Sequence, residues 1–272
     1  MRIPAGIAVL LSACSLILAQ APSKRTPAVA RDAAPDPKPP DPKLHVDFRP
    51  PTEKLTYDVE WRLIHAGTVV VQTEASQTQG GHADMKLDSA GMVSSLFKVH
   101  DTYSADYEEG FCATASLMDS VEGKRHHETK AAFDRSRNQA SYIERDVIKD
   151  TVIHSNQIEV PNCVHEVMGA ILKLRGMTLG PGQSAQIPMS DGRRSAPVKI
   201  EAHEREDLKT PVGSFKTMRY EAFMLNGVIY TRKGRVELWL TDDARRLPVQ
   251  IRLRMNFPVG TVTLQLEKEE HP

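Results

Sequence analysis

The chain lacks an excess of either charge. Its 272 residues hold 35 Lys and Arg against 35 Asp and Glu. No global field therefore draws it to nucleic acid, and none draws the chain as a whole to an anionic surface. Catalytic signatures are missing too: there is no G-x-S-x-G elbow, no Walker loop, no HExxH and no G-x-G-x-x-G. Internal repeats and heptads are absent, which excludes solenoids and coiled coils. Cysteine is scarce, at three residues, and no CxxC spacing exists for a thiol redox site. Hydrophobic residues at 40% and charged residues at 26% are nonetheless globular proportions, with enough apolar side chains to bury a core.

The longest uncharged apolar run is Ile3 through Ala19, behind Met1-Arg2. It is short for a membrane span and ends in small residues, as a secretory signal does. Cleavage between Ala19 and Gln20 is the expected processing. The competing reading takes Leu11-Ser12-Ala13-Cys14 as a lipobox, which would lipidate Cys14 and anchor the protein. Against it, the apolar run continues past Cys14 to Leu18. Residues 20–53 then carry nine prolines interleaved with Lys, Asp and Ala. Such a segment forms an extended, polyproline-like tether. Residues 1–19 are thus read as signal, 20–53 as tether and 54–268 as one β-rich domain, in a periplasmic or otherwise extracytoplasmic protein. The membrane enters as a partner only if Cys14 is lipidated.

From Leu55 onward the period is two. Leu55, Tyr57, Val59, Trp61 and Leu63 alternate with polar residues, as do Val198, Ile200 and Ala202, then Val249 to Met255 and Val262 to Leu266. That alternation suits antiparallel sheet with one face in water. Ala66-Gly67, Gly80-Gly81, Pro181-Gly182 and Pro211-Val212-Gly213 read as turns. Weaker strands are expected over 99–107, 131–133, 140–143 and 150–158. One helix is predicted near 163–176, capped by Asn162 or Cys163 and closed by Gly176. Its apolar residues Val164, Val167, Met168, Ile171 and Leu172 share one face. The fold class expected is mainly β, a strongly curved antiparallel sheet or open barrel wrapped round that helix.

Four stretches together resemble an uncharacterised family of exported bacterial proteins, domain-of-unknown-function family 3108. They are Leu55-Thr56-Tyr57-Asp58-Val59-Glu60-Trp61 with Ala66-Gly67, Glu122-Gly123-Lys124-Arg125 with Phe133-Asp134, Val164-His165-Glu166-Val167 running to Leu174-Arg175, and Trp239 through Pro248. The likeness spans about residues 54–267 and implies a single exported domain. It implies no chemistry for any residue.

His126-His127 is the most metal-like cluster, but adjacent residues on a strand face opposite ways, which argues for a solvated strand. Asp242-Asp243 reads as a hairpin connection whose carboxylate caps the turn, rather than as paired catalytic acids. Cys112 and Cys163 are either bridged or separately buried; Cys163 with nearby His165 as a nucleophile is the weaker reading. No catalytic, metal or cofactor residue is assigned. The function expected is non-enzymatic: a cell-envelope module that binds a lipid or other apolar small molecule. Met85, Met92, Met168, Met177, Met218 and Met224 are candidates for an adaptable pocket. An envelope-assembly protein that holds another envelope protein is the alternative, and a hydrolase-like enzyme the third. A continuous apolar cavity favours the first and a filled core the second. A cleft with convergent His and carboxylates favours the third.

Overall fold

A computed structural model describes Phe48 and residues 52–75, 80–256 and 259–271. Cys14, the Ala19/Gln20 cleavage point and most of the proline-rich segment lie outside the described residues. Eight strands form the first run: β1 (Glu53–Trp61), β2 (Ile64–Ala75), β3 (Gly80–Ser89), β4 (Val99–Glu108), β5 (Cys112–Glu122), β6 (Arg125–Asp134), β7 (Gln139–Asp146) and β8 (Thr151–Glu159). A short helix α1 (Gly91–Leu96) joins β3 to β4, and α2 (Val167–Arg175) follows β8. Six more strands complete the chain: β9 (Ser184–Ser190), β10 (Ser195–Thr210), β11 (Gly213–Ala222), β12 (Gly234–Thr241), β13 (Pro248–Met255) and β14 (Thr261–Glu270).

All fourteen strands make one antiparallel sheet in the order β8 through β1, then β14 through β9. The join is between β1 and β14, with Tyr57 opposite Leu266 and Val59 opposite Leu264. The free edges are β8 and β9, so the sheet is barrel-like but not closed. Alternation sets its inner face: Leu55, Tyr57 and Val59 of β1 are buried, and so are Val99, Tyr103, Ala105 and Tyr107 of β4.

Helix α2, which links the two edges in sequence, sits against the inner face. Met168 and Leu172 pack into the cluster built by β1–β4, β13 and β14. Ala170 and Leu174 pack into the cluster of β9–β12. One helix therefore fills the space between both halves of the sheet, which is why it is apolar on more than one side.

The segment before α2 is stitched down at several points. Cys163 is disulfide-bonded to Cys112 at the start of β5, with Cα atoms 4.9 Å apart. Ala113 N–H donates to Val164 O (2.8 Å), His165 N–H to Pro188 O (2.9 Å) and Ser190 N–H to His165 O (2.9 Å). His165 thereby covers part of the β9 edge. Its Nδ1–H donates to Phe111 O at 2.6 Å. At the other end of α2, buried Arg175 pairs with buried Glu53 of β1 and donates to Arg245 O (3.2 Å).

Several local expectations are corrected. The helix begins at Val167, with Glu166 as its cap, not Asn162 or Cys163. The Glu166 carboxylate accepts from Met168 N–H and Gly169 N–H, whereas 164–165 is held extended by its pairings to β5 and β9. Ala66-Gly67 lies inside β2, and the turn is at Arg62-Leu63, both in the left-handed region. Gly67 is required for close approach: a Cβ there would stand 2.2 Å from Asp88 O. Gly80-Gly81 likewise begins β3 rather than turning. Strands β5, β9 and β12 were not expected.

Loss of the Cys112–Cys163 bond frees a loop of 51 residues. Chain entropy then sets a cost of about 4 kcal/mol; urea unfolding of Cys112→Ser with Cys163→Ser against the parent measures it. Burial depresses the His165 pKa from 6.5 to about 4, against the pull of the Phe111 carbonyl. The unfolded chain binds that proton near pH 6.5 and the folded chain only near 4. Its contribution is complete above pH 6.5 and is lost as pH falls towards 4, by about 3 kcal/mol. His165→Gln should flatten that part of the stability–pH curve, read by denaturant midpoints from pH 3.5 to 7.5.

Candidate functional site

Two cavities meet at α2. The first, of about 60 Å³, lies between α2, the inner face of β4–β7 and the β9–β10 turn. Strand alternation points Tyr103, Ser120, His127, Tyr142 and Glu144 inward together. Its walls hold Glu144, Glu166 and Asp191 but no Lys or Arg. Glu166 accepts from Tyr103 OH (2.9 Å) as well as from the two helix N–H groups. Burial pushes its pKa up, and those three donors pull it back. Asp191 is held by Arg193 N–H (2.8 Å) and Arg194 N–H (2.7 Å). Glu144 receives Tyr142 OH at 3.3 Å and stands 3.4 Å from His127 Nδ1.

Ser120 lies opposite His127 in the β5–β6 register. Serine, imidazole and carboxylate on three adjacent strands suggest an activated nucleophile, but the hydrogen bonds run otherwise. Ser120 Oγ donates to Asp101 Oδ1 (2.9 Å) and lies 3.3 Å from Glu122 Oε1. Desolvation raises the Asp101 pKa to about 6, against the pull of the Ser120 hydroxyl and Val121 N–H. A hydroxyl committed to carboxylates is not primed by an imidazole. The arrangement is a buried hydrogen-bond network.

The second cavity, of about 100 Å³, is apolar. Val167, Ala170, Ile171 and Leu174 recur at helical spacing on the α2 face that lines it. Opposite stand Met189, Ile200, Ala222, Val236, Leu238 and Leu253 from β9 to β13. The 223–233 connection from β11 to β12 folds over it, bringing Met224, Leu225 and Tyr230 into the wall. That fold-back is fixed by Ile229 N–H and Tyr230 N–H, both donating to Met224 O at 3.0 Å. One charged side chain, Arg232, lines this cavity; it is half-buried and ion-pairs with no described residue. Val167 and Tyr230 belong to both cavities, so a thin wall of two side chains separates polar from apolar.

The residues singled out from sequence are dispersed. His126 pairs with Asp119 (2.5 Å) and His127 with Glu144, on opposite faces of β6. Among the described residues no group of three His, Cys, Asp or Glu side chains could hold a metal ion. Asp243 accepts from Arg245 N–H, Arg246 N–H and Thr241 OH, closing the β12–β13 turn, while Asp242 pairs with Arg205. Of the six methionines proposed for a pocket, Met224 lines the apolar cavity; Met92 is exposed, and the other four are buried elsewhere. Asp101 and Glu144 each interrupt an apolar register, Val99-x-Asp101-x-Tyr103 and Ala140-x-Tyr142-x-Glu144, and that interruption is their signal in the sequence. Arg232 carried no signal, because its place depends on how the 223–233 connection folds.

A comparison with curated proteins finds no match. Among solved structures, a beta-barrel-like DUF1849 protein from Brucella abortus aligns over 82% of this chain and 99% of its own, at TM-score 0.56 and 8% identity. That likeness shows a shared fold. A DUF1089 family protein from Pseudomonas aeruginosa aligns over 66% of this chain and 87% of its own, at TM-score 0.35 and 11% identity, too loosely to add to it. The family model described as "Protein of unknown function (DUF3108)" matches residues 56–267, nearly the whole sheet, and the chain belongs to that family.

Proposed function

We propose that the protein is an exported cell-envelope module that binds the apolar part of an amphiphile in the cavity between α2 and β9–β13. Residues 1–19 act as its signal, cut between Ala19 and Gln20, residues 20–53 as its tether and 54–268 as the binding domain. The observation that carries the reading is the apolar wall itself: side chains from α2 and five strands converge there and leave space unfilled. Natural interiors are close-packed, and an empty apolar cavity costs stability that a bound apolar group recovers. A volume near 100 Å³ is below the roughly 300–1,000 Å³ of sites that bury a whole drug-sized ligand. The cavity therefore takes a segment of chain, with the head left at the mouth. Arg232 stands at that wall without a carboxylate partner, which favours an anionic head such as a carboxylate or phosphate.

The test is native mass spectrometry of protein purified gently from cell envelope, followed by titration with a fluorescent fatty acid. Co-purified acyl species and saturable probe binding are expected. Ala170→Phe with Ala222→Phe fills the cavity and should abolish probe binding while unfolding stays cooperative. Arg232→Ala should weaken binding about tenfold, the loss of one charge-assisted hydrogen bond. A protein that is consistently empty and captures no probe overturns the reading.

A further inference from the structure

Whatever the cavity holds, the two ends of the sheet differ in a way that overall charge conceals. Cross-strand register puts Trp61 beside Ile64, Asp88 beside His100, Glu122 beside Arg125 and Asp146 beside Thr151. The connections β1–β2, β3–β4, β5–β6 and β7–β8 therefore stand in a row at one end. Gly234 opposite Met255, and Ile200 opposite Ala222, place the β11–β12 and β9–β10 connections at that end as well. The entry of the chain at Glu53, opposite Thr73 and two residues from Leu55–Glu269, is at the other.

Ten large apolar side chains are exposed among the described residues, and eight stand at the first end. Leu63 and Ile64 tip the β1–β2 hairpin, Met92 and Leu96 lie on α1, and Val147 and Ile148 tip the β7–β8 hairpin. Val152 and Phe223 are the other two. Leu63 is 91% exposed, Ile148 65% and Met92 60%. Bare apolar tips clustered on three connections at one end, β1–β2, β3–β4 and β7–β8, mark a contact surface rather than a folding need.

Charge follows the same polarity. The connecting segments at this end carry Arg62, Lys98, Lys124 and Lys149 in the first half of the chain. The second half adds Arg193, Arg194, Arg232 and Lys233. Within those segments two acids, Asp150 and Asp191, stand against these eight, and Lys149 is paired with Asp146 at the end of β7. Lys98, Lys124, Arg232 and Lys233 ion-pair with no described residue. At the far end Arg135, Arg137 and Arg245 are neutralised by Glu108, Asp134 and Glu269, and Arg246 donates to Tyr220 OH.

We infer that this end of the sheet docks on an anionic phospholipid bilayer, with the hairpin tips entering the interface and the free cations over the phosphates. Apolar insertion and attraction to anionic lipid are together the two signals a peripheral protein needs for stable contact. A nucleic acid or an acidic protein would use the cations but leave Leu63, Met92 and Ile148 without a role. The apolar cavity lies at this same end, beneath the 223–233 connection, so docking sets that connection against the membrane.

The test uses the chain from Gln20 onward, which holds the whole described sheet and omits the apolar run Ile3–Ala19. Flotation with vesicles of equal phosphatidylglycerol and phosphatidylcholine should carry the protein upward, and pure phosphatidylcholine should do so at least tenfold less. Leu63→Ser with Met92→Ser and Ile148→Ser should lower binding at least tenfold, and so should Lys98→Glu with Lys124→Glu and Lys233→Glu. Val212→Ser, at the far end, should bind as the parent does, and circular dichroism checks that every variant is folded. Equal flotation of parent and both triple variants overturns the proposal. So does binding that the cation triple abolishes and the apolar triple leaves intact, which would mark a general polyanion site. Cavity-filling Ala170→Phe with Ala222→Phe should leave flotation unchanged, which separates this surface from the ligand reading.

Discussion

An open sheet of fourteen strands leaves two edges and a hollow, and one buried carboxylate governs how both are managed. Glu166 caps α2 through two backbone N–H groups and accepts a hydrogen bond from the Tyr103 hydroxyl of β4. It thus fixes the helix start against the inner face of the sheet. The extended residues just before it cover part of the β9 edge, and the Cys112–Cys163 bond holds them to β5. Free edges invite pairing with other chains, so this covering has a protective value beyond its hydrogen bonds. The Arg175–Glu53 pair fixes the other end of the helix. A buried pair of this kind adds little net stability but makes misplacement of either partner costly.

Because α2 is fixed at both ends, it cannot settle fully into either half of the sheet. Met168 and Leu172 are committed to the cluster around β1–β4, and Leu174 to the one around β9–β12. The apolar cavity is the space left on the second side, and the polar cavity the space left towards β4–β7. Both follow from the same positioning of one helix. Their different chemistry follows from the strands they face. Strands β9–β13 present Ile, Leu, Val and Met inward, whereas β4–β7 present Ser120, His127 and Glu144. The amphiphilic reading of the ligand rests on the apolar wall and on Arg232 beside it, and the polarity of the sheet's two ends gives that ligand a direction of approach.

Much of the sheet was legible in the sequence, because solvated antiparallel strands leave a clean period of two. β1, β13 and β14 show it plainly. β5 leaves no clean period because Ser116, Ser120 and Glu122 face inward and break the alternation, and β9 because its apolar alternation is only Ala185, Ile187 and Met189, with Pro188 on the other face. The helix is legible from its spacing, yet its cap is Glu166 rather than Asn162 or Cys163. Val164 and His165 continue the helical pattern in sequence, but pairing to β5 and β9 holds them extended. Glycine-based turns misled at Gly67 and Gly80, where close strand packing rather than a reversal requires glycine. The cavities were hidden for a different reason. Each is assembled from side chains far apart in the chain, Tyr103 to Tyr230 in the polar cavity and Val167 to Leu253 in the apolar one, and no local pattern records that meeting. The one-sided distribution of charge was equally invisible, since it appears only when the turns are sorted by sheet end.

The central claim is that the cavity between α2 and β9–β13 takes an apolar chain. The most direct measurement is calorimetric titration with straight-chain fatty acids of increasing length below their micelle-forming concentrations. Affinity should rise roughly fourfold per methylene, about 0.8 kcal/mol each, and flatten once the cavity is filled, with a negative heat-capacity change throughout. An affinity that ignores chain length from the shortest acid onward, or binding with no heat-capacity change, would contradict the account.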